Sequence, residues 1–430
     1  MRQFSCTAVA KMEKPRNLLR LRGFCLKLVP GRGLEPPRLA TLVPETSAST
    51  NSAIRAWVAM YPRWRGVSTG RMGVRQKSSW QLVLLVGVRA FIQGRVPRQF
   101  GVSMSKLVTI FGGSGFVGRY IARRMAKEGW RVRVACRRPN EALFVRSYGA
   151  VGQVEPVFCN IRDDASVRAA LAGANAAVNC VGTFDSSGSN NFDAVQATGA
   201  GRIARLAAVM GHEAFVYISA LGADVNSDSD YSRTKGEGEA AVLAAFPTAM
   251  ILRPSVIFGN EDGFFNRFAA MARMGPFLPL VGGNTNFQPV YVEDVAQAAV
   301  KGVTMGATGV YELGGPHVGT LRQIIGDMLA VIQRRRIVIN LPFFAGAAVA
   351  GGLGFAQAVT LGLFHNSVLT GDQVRSLRRH NTVAPGAKGL ADLGITPTAY
   401  AGVIPEYLWR YRPSGQYAAI KGSAKNLRKV

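Results

Sequence analysis

Acidic side chains are scarce in this sequence: 25 Asp and Glu stand against 52 Lys and Arg in 430 residues, a net charge of +27. Such a field favours anionic partners, whether nucleotides, acidic lipid surfaces or nucleic acid. Zinc-finger spacing, RNP-like aromatic motifs and basic helix repeats are all missing, so nothing in the sequence favours nucleic acid. Cysteine is just as sparse. Cys6, Cys25, Cys136, Cys159 and Cys180 are odd in number and widely spaced, with no C-x-x-C pair. They indicate neither a disulfide framework nor a zinc site, and a reducing compartment is the natural reading. The four histidines, His212, His317, His365 and His380, show no i, i+4 pairing, and no metal centre is expected. Long apolar runs are also few; Trp80–Val88 is too short to span a bilayer.

The charge is unevenly spread. Residues 1–103 hold 18 basic and 3 acidic side chains, are punctuated by Pro and Gly, and show no sustained periodicity. An Arg-rich, acid-poor start fits an organelle targeting segment. Its length, and the run Met104-Ser-Lys-Leu-Val-Thr-Ile just ahead of the first strand pattern, favour a mis-assigned start instead. Either way 1–103 is expected to be a poorly ordered extension.

From Lys106 onward the pattern becomes regular. Lys106–Phe111, Arg131–Cys136, Glu155–Cys159, Ala176–Cys180, Ala214–Ser219 and Ala249–Leu252 read as strands, and Val117–Glu128, Ala165–Leu171, Phe192–Met210 and Ser232–Ala245 as helices. This alternation implies crossover connections and therefore an α/β fold, a Rossmann-type doubly wound parallel sheet. The expected division is a nucleotide-binding domain over 104–254, a smaller mixed C-terminal lobe over 255–417, and a basic tail over 418–430.

Directly after the first strand stands Thr109-Ile-Phe-Gly-Gly-Ser-Gly-Phe-Val-Gly118, in which Gly112, Gly115 and Gly118 form G-x-x-G-x-x-G. Placed between a buried-type strand and an amphipathic helix, such glycines let the backbone turn tightly and approach a pyrophosphate at the positive end of the helix dipole. Phe116 and Val117, inside the motif, join the expected contacts. NAD-specific sites carry an acid at the end of the second strand; here the chain reads Ala135-Cys-Arg137-Arg138. Two guanidiniums suit a 2′-phosphate and leave a free ribose diol without its acceptor, so NADP(H) is expected over NAD(H). Asn160 and Ile161, after the third strand, are placed to flank the adenine. Cys180, Val181 and Gly182, ending the fourth, are placed at the nicotinamide half.

Ser219 ends the fifth strand and Tyr231-Ser-Arg-Thr-Lys235 opens the next helix. Residues i and i+4 share a helix face, so Tyr231 and Lys235 can enter one cleft. That pair suits carbonyl/alcohol chemistry. A nearby ammonium is expected to lower the tyrosine pKa so that its oxygen can exchange a proton while hydride moves to or from a nicotinamide. Lys235 would also bond the nicotinamide ribose, and Ser219 would orient the substrate oxygen.

These residues resemble the short-chain dehydrogenase/reductase superfamily. The strings Phe111–Tyr120, Leu252-Arg-Pro-Ser-Val-Ile-Phe-Gly259, Phe264-Phe-Asn-Arg-Phe268, Gln288-Pro-Val-Tyr-Val-Glu-Asp-Val295, Tyr311-Glu-Leu-Gly-Gly-Pro316 and Tyr407-Leu-Trp-Arg-Tyr-Arg-Pro413 narrow the resemblance to its atypical branch. That branch holds the nucleotide-binding accessory subunits of respiratory complex I and bacterial epimerase/dehydratase-like relatives. The resemblance covers about Lys106 to Tyr417. It implies a tightly held NADPH and a largely structural role, with complex I subunits and a membrane lipid surface as partners. The implied location is peripheral, on the cytoplasmic side of a bacterial inner membrane or the mitochondrial matrix side. The alternative is a soluble cytoplasmic reductase, dehydratase or epimerase acting on a sugar nucleotide, a sterol-like or a quinone-related substrate. Tyr231 and Lys235 serve either reading, since both can also grip the cofactor ribose.

Leu341–Phe364 carries no charge and follows Arg334-Arg-Arg336, which meets the length and flank of a membrane span. Its many small residues, and the need to keep Gln373–Arg379 and Tyr407–Arg412 with their lobe, favour packed or interfacial helices.

Overall fold

The computed structural model describes residues 20–21, 24–25, 105–183, 188–359 and 370–417. The chain divides into two units, 1–98 and 99–430. In the first, Arg20–Leu21 pairs antiparallel with Phe24–Cys25; the rest of 1–103, residues 360–364 of the apolar run and the tail 418–430 lie outside the described residues.

The second unit is built on seven strands: β1 (Leu107–Phe111), β2 (Arg131–Cys136), β3 (Val154–Phe158), β4 (Ala176–Asn179), β5 (Ala214–Ile218), β6 (Met250–Pro254) and, much later, β11 (Gly309–Leu313). All neighbours run parallel, in the order β11-β6-β5-β4-β1-β2-β3. The inner strands β4 and β5 are buried along their whole length, which is why they read as continuous apolar runs; crossover helices cover both faces of a parallel sheet. Those helices are α1 (Phe116–Lys127), α2 (Asp164–Leu171), α3 (Thr198–Val209) and α4 (Asp230–Ala245). Local chemistry starts two of them: Asp163 accepts from the Ala165 and Ser166 amides, and Ser229 from the Ser232 amide.

The expected helix over Phe192–Met210 differs at its start. Asp193–Ala197 winds as a π-helical turn before α3, and the buried Gln196 within it donates to the Thr183 carbonyl at 2.7 Å. Such turns occur frequently at functional sites, and this one adjoins the chain that carries Gly182.

Beyond β6 come β7 (Ile257–Phe258), α5 (Phe265–Met274), β8 (Phe277–Val281), β9 (Asn286–Phe287), β10 (Val290–Tyr291) and α6 (Val292–Thr304). After β11 follow β12 (Gly319–Thr320), α7 (Leu321–Val331), β13 (Ile337–Leu341), α8 (Phe343–Val359), α9 (Gly371–Ser376) and α10 (Tyr400–Leu408). Phe258, Phe265, Leu280, Ile325 and Leu408 centre the core of the C-terminal lobe. Because α6 packs on the sheet core and β11 completes the sheet, the two parts interleave across the boundary expected at residue 254. The Glu293 carboxylate of α6 clamps Arg123 and Arg124 of α1. Among the described residues no helix is long and apolar enough to cross a membrane.

Helix α4 approaches the π turn closely. A Cβ on Gly238 would stand 2.2 Å from the Gln196 carbonyl oxygen and 2.8 Å from the Tyr217 hydroxyl. Gly238→Ala is therefore expected to lower the denaturant midpoint by an amount worth about 1–3 kcal/mol at unchanged slope; an unaltered midpoint in urea unfolding would contradict this packing.

Candidate functional site

The chain runs outward from β1 through β2 to β3, then returns to place β4 on the other side of β1. Parallel α/β sheets bind ligands at the carboxyl ends of strands where the order reverses. Here that point lies between Phe111 and Asn179. Gly112 turns the chain there with φ +72°, in the left-handed region that glycine tolerates. A Cβ on it would meet the Cys180 backbone at 3.2 Å, and one on Gly118 would stand 2.4 Å from the Gly112 oxygen. The turn is thus packed against its own helix, and α1 follows Gly115 with no side-chain cap and no acid in its first turn. Its amides are left to a ligand of negative charge.

A cleft of about 870 Å³ opens above this turn. Gly112, Gly115, Phe116, Val117 and Gly118 line one side, and Cys180 with Gly182 the adjoining wall. Ser219, Tyr231 and Lys235 line it opposite, so the three residues expected to do chemistry share a space with the glycine turn. Val181 is set back, its amide bonded to Asn179 Oδ1 at 3.0 Å and its side chain against the core. Asn160 and Ile161 lie off the cleft: the Asn160 amide donates to Ser166 Oγ at 2.9 Å, and Ile161 packs against Gly199. Arg137 and Arg138 are exposed at the end of β2, outside the cleft lining but tied to it, since the Gly112 amide donates to the carbonyl of Ala135 at 2.9 Å.

Ser219 is 4% exposed, and its Oγ is buried without a hydrogen-bond partner. An unsatisfied buried hydroxyl costs about 1–3 kcal/mol, so this oxygen is built for a group the chain does not itself supply. Lys235 Nζ donates to the Ile218 carbonyl at 2.9 Å and lies over the Tyr217 ring. A Cβ on Gly182 would come within 3.9 Å of that ammonium, which leaves it facing the cofactor side of the cleft. Glycine cradle, uncapped helix start, orphaned hydroxyl and buried ammonium together fit a dinucleotide.

The expected lowering of the tyrosine pKa is corrected by the structure. Desolvation pushes Tyr231 up to about 12, and the carboxylate of Asp372 pushes the same way. The sequence reading missed Asp372 altogether. It lies in the first turn of α9, where Thr370 and Gln373 form a capping box, and its oxygens accept from the Asp230 amide at 2.7 Å, the Tyr231 amide at 3.2 Å and Ser229 Oγ at 3.1 Å. The Thr-x-x-Gln pattern signals a helix start, but nothing local places it on the N-terminus of α4, more than a hundred residues earlier. Arg267, lining the cleft from α5, was missed for the same reason. Burial holds the Cys180 thiol up at about 12 despite Lys235, which makes it an unreactive wall.

Residues 108–314 match the NAD dependent epimerase/dehydratase family. The chain is 35% identical over 323 residues to the mitochondrial NADH dehydrogenase (ubiquinone) 1 alpha subcomplex subunit 9 of Arabidopsis thaliana, covering 73% of this chain and 80% of that one. It belongs to this epimerase/dehydratase family and carries its NAD(P)-binding Rossmann fold. Among more distant relatives, a ceramide reductase of Caulobacter vibrioides is 31% identical over 249 residues, 57% of this chain and 77% of that protein. A UDP-glucose 4-epimerase of Thermus thermophilus, solved in complex with NAD, shares the fold at TM-score 0.53 and 18% identity, covering 72% of this chain and 99% of that one.

Burial pushes the Lys235 ammonium down to about 8 from an ordinary value near 10.4. Between those pH values the unfolded chain binds the proton and the folded chain does not, so stability rises with pH across the window. The folded state bears the full cost of the buried charge only below it. Lys235→Met should flatten that rise, measured as wild-type minus variant unfolding free energy from pH 7.5 to 10.5; parallel pH profiles would contradict the assignment.

Proposed function

We propose that this chain holds NADP(H) in the cleft mainly as a structural ligand and serves as an accessory component of respiratory NADH:ubiquinone oxidoreductase, complex I, seated peripherally at the membrane. The observation that carries the reading is the 35% identity to an alpha subcomplex subunit of that enzyme across 80% of the relative's length. The state of the tyrosine agrees with it. A hydroxyl pushed up to about 12 is a poor acid near neutral pH, whereas Lys235, Tyr231 and Ser219 can still grip a ribose and amide.

The phosphorylated cofactor is favoured by Arg137 and Arg138. Arg138 makes an exposed pair with Glu141 at 3.2 Å, which is worth little in water and is easily exchanged for a 2′-phosphate. Seating at a membrane is supported by the outer face of β8 and β13 with the start of α8. There Phe277, Ile337, Ile339 and Phe344 are exposed, Phe344 by 77%, and exposed Arg273 and Arg335 flank them. Aromatic and aliphatic tips rimmed by arginine suit an interface with anionic lipid or with membrane-arm subunits. The matrix side of the mitochondrial membrane, or its bacterial counterpart, follows from that association.

A second reading rests on the orphaned Ser219 hydroxyl beside Tyr231 and Lys235. In it the chain is an NADP-dependent reductase, dehydratase or epimerase, with Ser219 orienting the substrate oxygen and Tyr231 exchanging the proton. The ceramide reductase relative supports this reading. The bound cofactor would supply or accept hydride.

Purification of complex I from native membranes in mild detergent should bring this chain along in stoichiometric amount, with Tyr231→Phe leaving the complex and its NADH oxidation intact. A chain that stays apart from complex I and reduces a carbonyl compound with NADPH, losing that activity in Tyr231→Phe, would establish the second reading instead.

A further inference from the structure

Next to Tyr231 the cleft leads into a second chamber of about 400 Å³. Tyr231, Phe264, Phe287 and Arg267 belong to both spaces. Deeper in, the walls are Phe268, Met271, Val281 and Leu341, which offer water few hydrogen bonds and suit hydrocarbon.

Two observations direct the choice of occupant. The register of β8 and β13 sets Phe277 opposite Ile337, Pro279 opposite Ile339 and Val281 opposite Leu341. Alternate residues of a strand share a face, so these three pairs form one apolar strip. Its outer pair is open to solvent, Phe277 by 55% and Ile337 by 61%, while Val281 is buried at 9%. The strip therefore runs from the exposed surface into the chamber. At the chamber's other end Arg267 is half-buried, and among the described residues no carboxylate or carbonyl bonds its guanidinium. A cation withdrawn from water without a partner is costly, and a guanidinium in that position fits an oxygen-rich or anionic head.

We infer that the chamber is a subsite for the single hydrocarbon tail of a membrane amphiphile, which enters along the Phe277–Leu341 strip and leaves its oxygen-bearing head at Arg267. The tail site is independent of whether the nucleotide turns over. Only the nearness of the head to a nicotinamide rests on the dinucleotide reading.

The test uses the full chain, loaded with NADPH and freed of detergent, titrated with cis-parinaric acid, a fluorescent single-chain carboxylate. Saturable enhancement is expected. Leu341→Arg, which sets a charge in the strip, and Met271→Trp, which fills the chamber, should each weaken the probe about tenfold or more while NADPH affinity stays within about twofold. Arg267→Gln should weaken the probe about tenfold. Native mass spectrometry of the chain taken from its own membranes then distinguishes an acyl from an isoprenoid tail. Wild-type protein that fails to bind the probe saturably, or binding unchanged in Met271→Trp, overturns the inference, and Met271→Trp decides alone if Leu341→Arg does not fold. Wild-type chain that takes up no NADPH yet still binds the probe saturably would count against the dinucleotide reading and leave the tail site standing.

Discussion

The nucleotide half of the molecule depends on a meeting of backbone with backbone at the glycine turn: a Cβ on Gly118 would stand 2.4 Å from the Gly112 oxygen and 2.6 Å from the Gly113 Cα. Helix α1 can reach the end of β1 only because those side chains are missing, and its amides then open onto the crevice between β1 and β4. The adjoining walls of the cleft take position from that meeting. The Gly112 amide ties the turn to β2 through Ala135, which sets Arg137 and Arg138 at its rim. Cys180, touching the same turn, starts the segment that carries Gly182 towards Lys235. A larger side chain at either glycine would move helix and strand apart and leave no common floor for a pyrophosphate.

Across the cleft, the dominant constraint is the cost of a buried ammonium. Lys235 is 4% exposed and is stabilised by one carbonyl, an aromatic face and, through the field, Glu239. Asp372 acts in the opposite sense on its neighbour Tyr231 while capping α4. The C-terminal lobe thus helps to set the electrostatics of residues that belong to the nucleotide domain. The same lobe supplies Arg267, the strip of β8 and β13 and most of the walls of the apolar chamber that adjoins Tyr231.

Much of this was legible in the residues, because its causes are local. Runs such as Ala214–Ile218 betray a strand buried on both faces, and glycines spaced by three between strand and helix betray a phosphate turn. Tyr231 and Lys235 share a cleft because four residues make one helical turn. What escaped depends on contacts between distant segments. Val310–Leu313 gives no sign that it will pair beside Ile251–Pro254, since a single parallel strand looks alike in any sheet position. Asp372 reaches the start of α4, and Arg267 the cleft, only through packing of the later lobe. The tyrosine pKa followed the same rule: the lysine one turn on was readable, but what moves the hydroxyl is desolvation and a carboxylate 141 residues away in sequence, both of which push it up.

The most direct test of the account is the nucleotide itself. Chain isolated from its native source without added cofactor, denatured and analysed by mass spectrometry, should release NADP(H) in near-equal amount to protein. In Arg137→Gln/Arg138→Gln protein the preference for NADP(H) over NAD(H) should fall by about tenfold or more. Release of NAD(H) alone, or a preference unchanged by removing both guanidiniums, would contradict it.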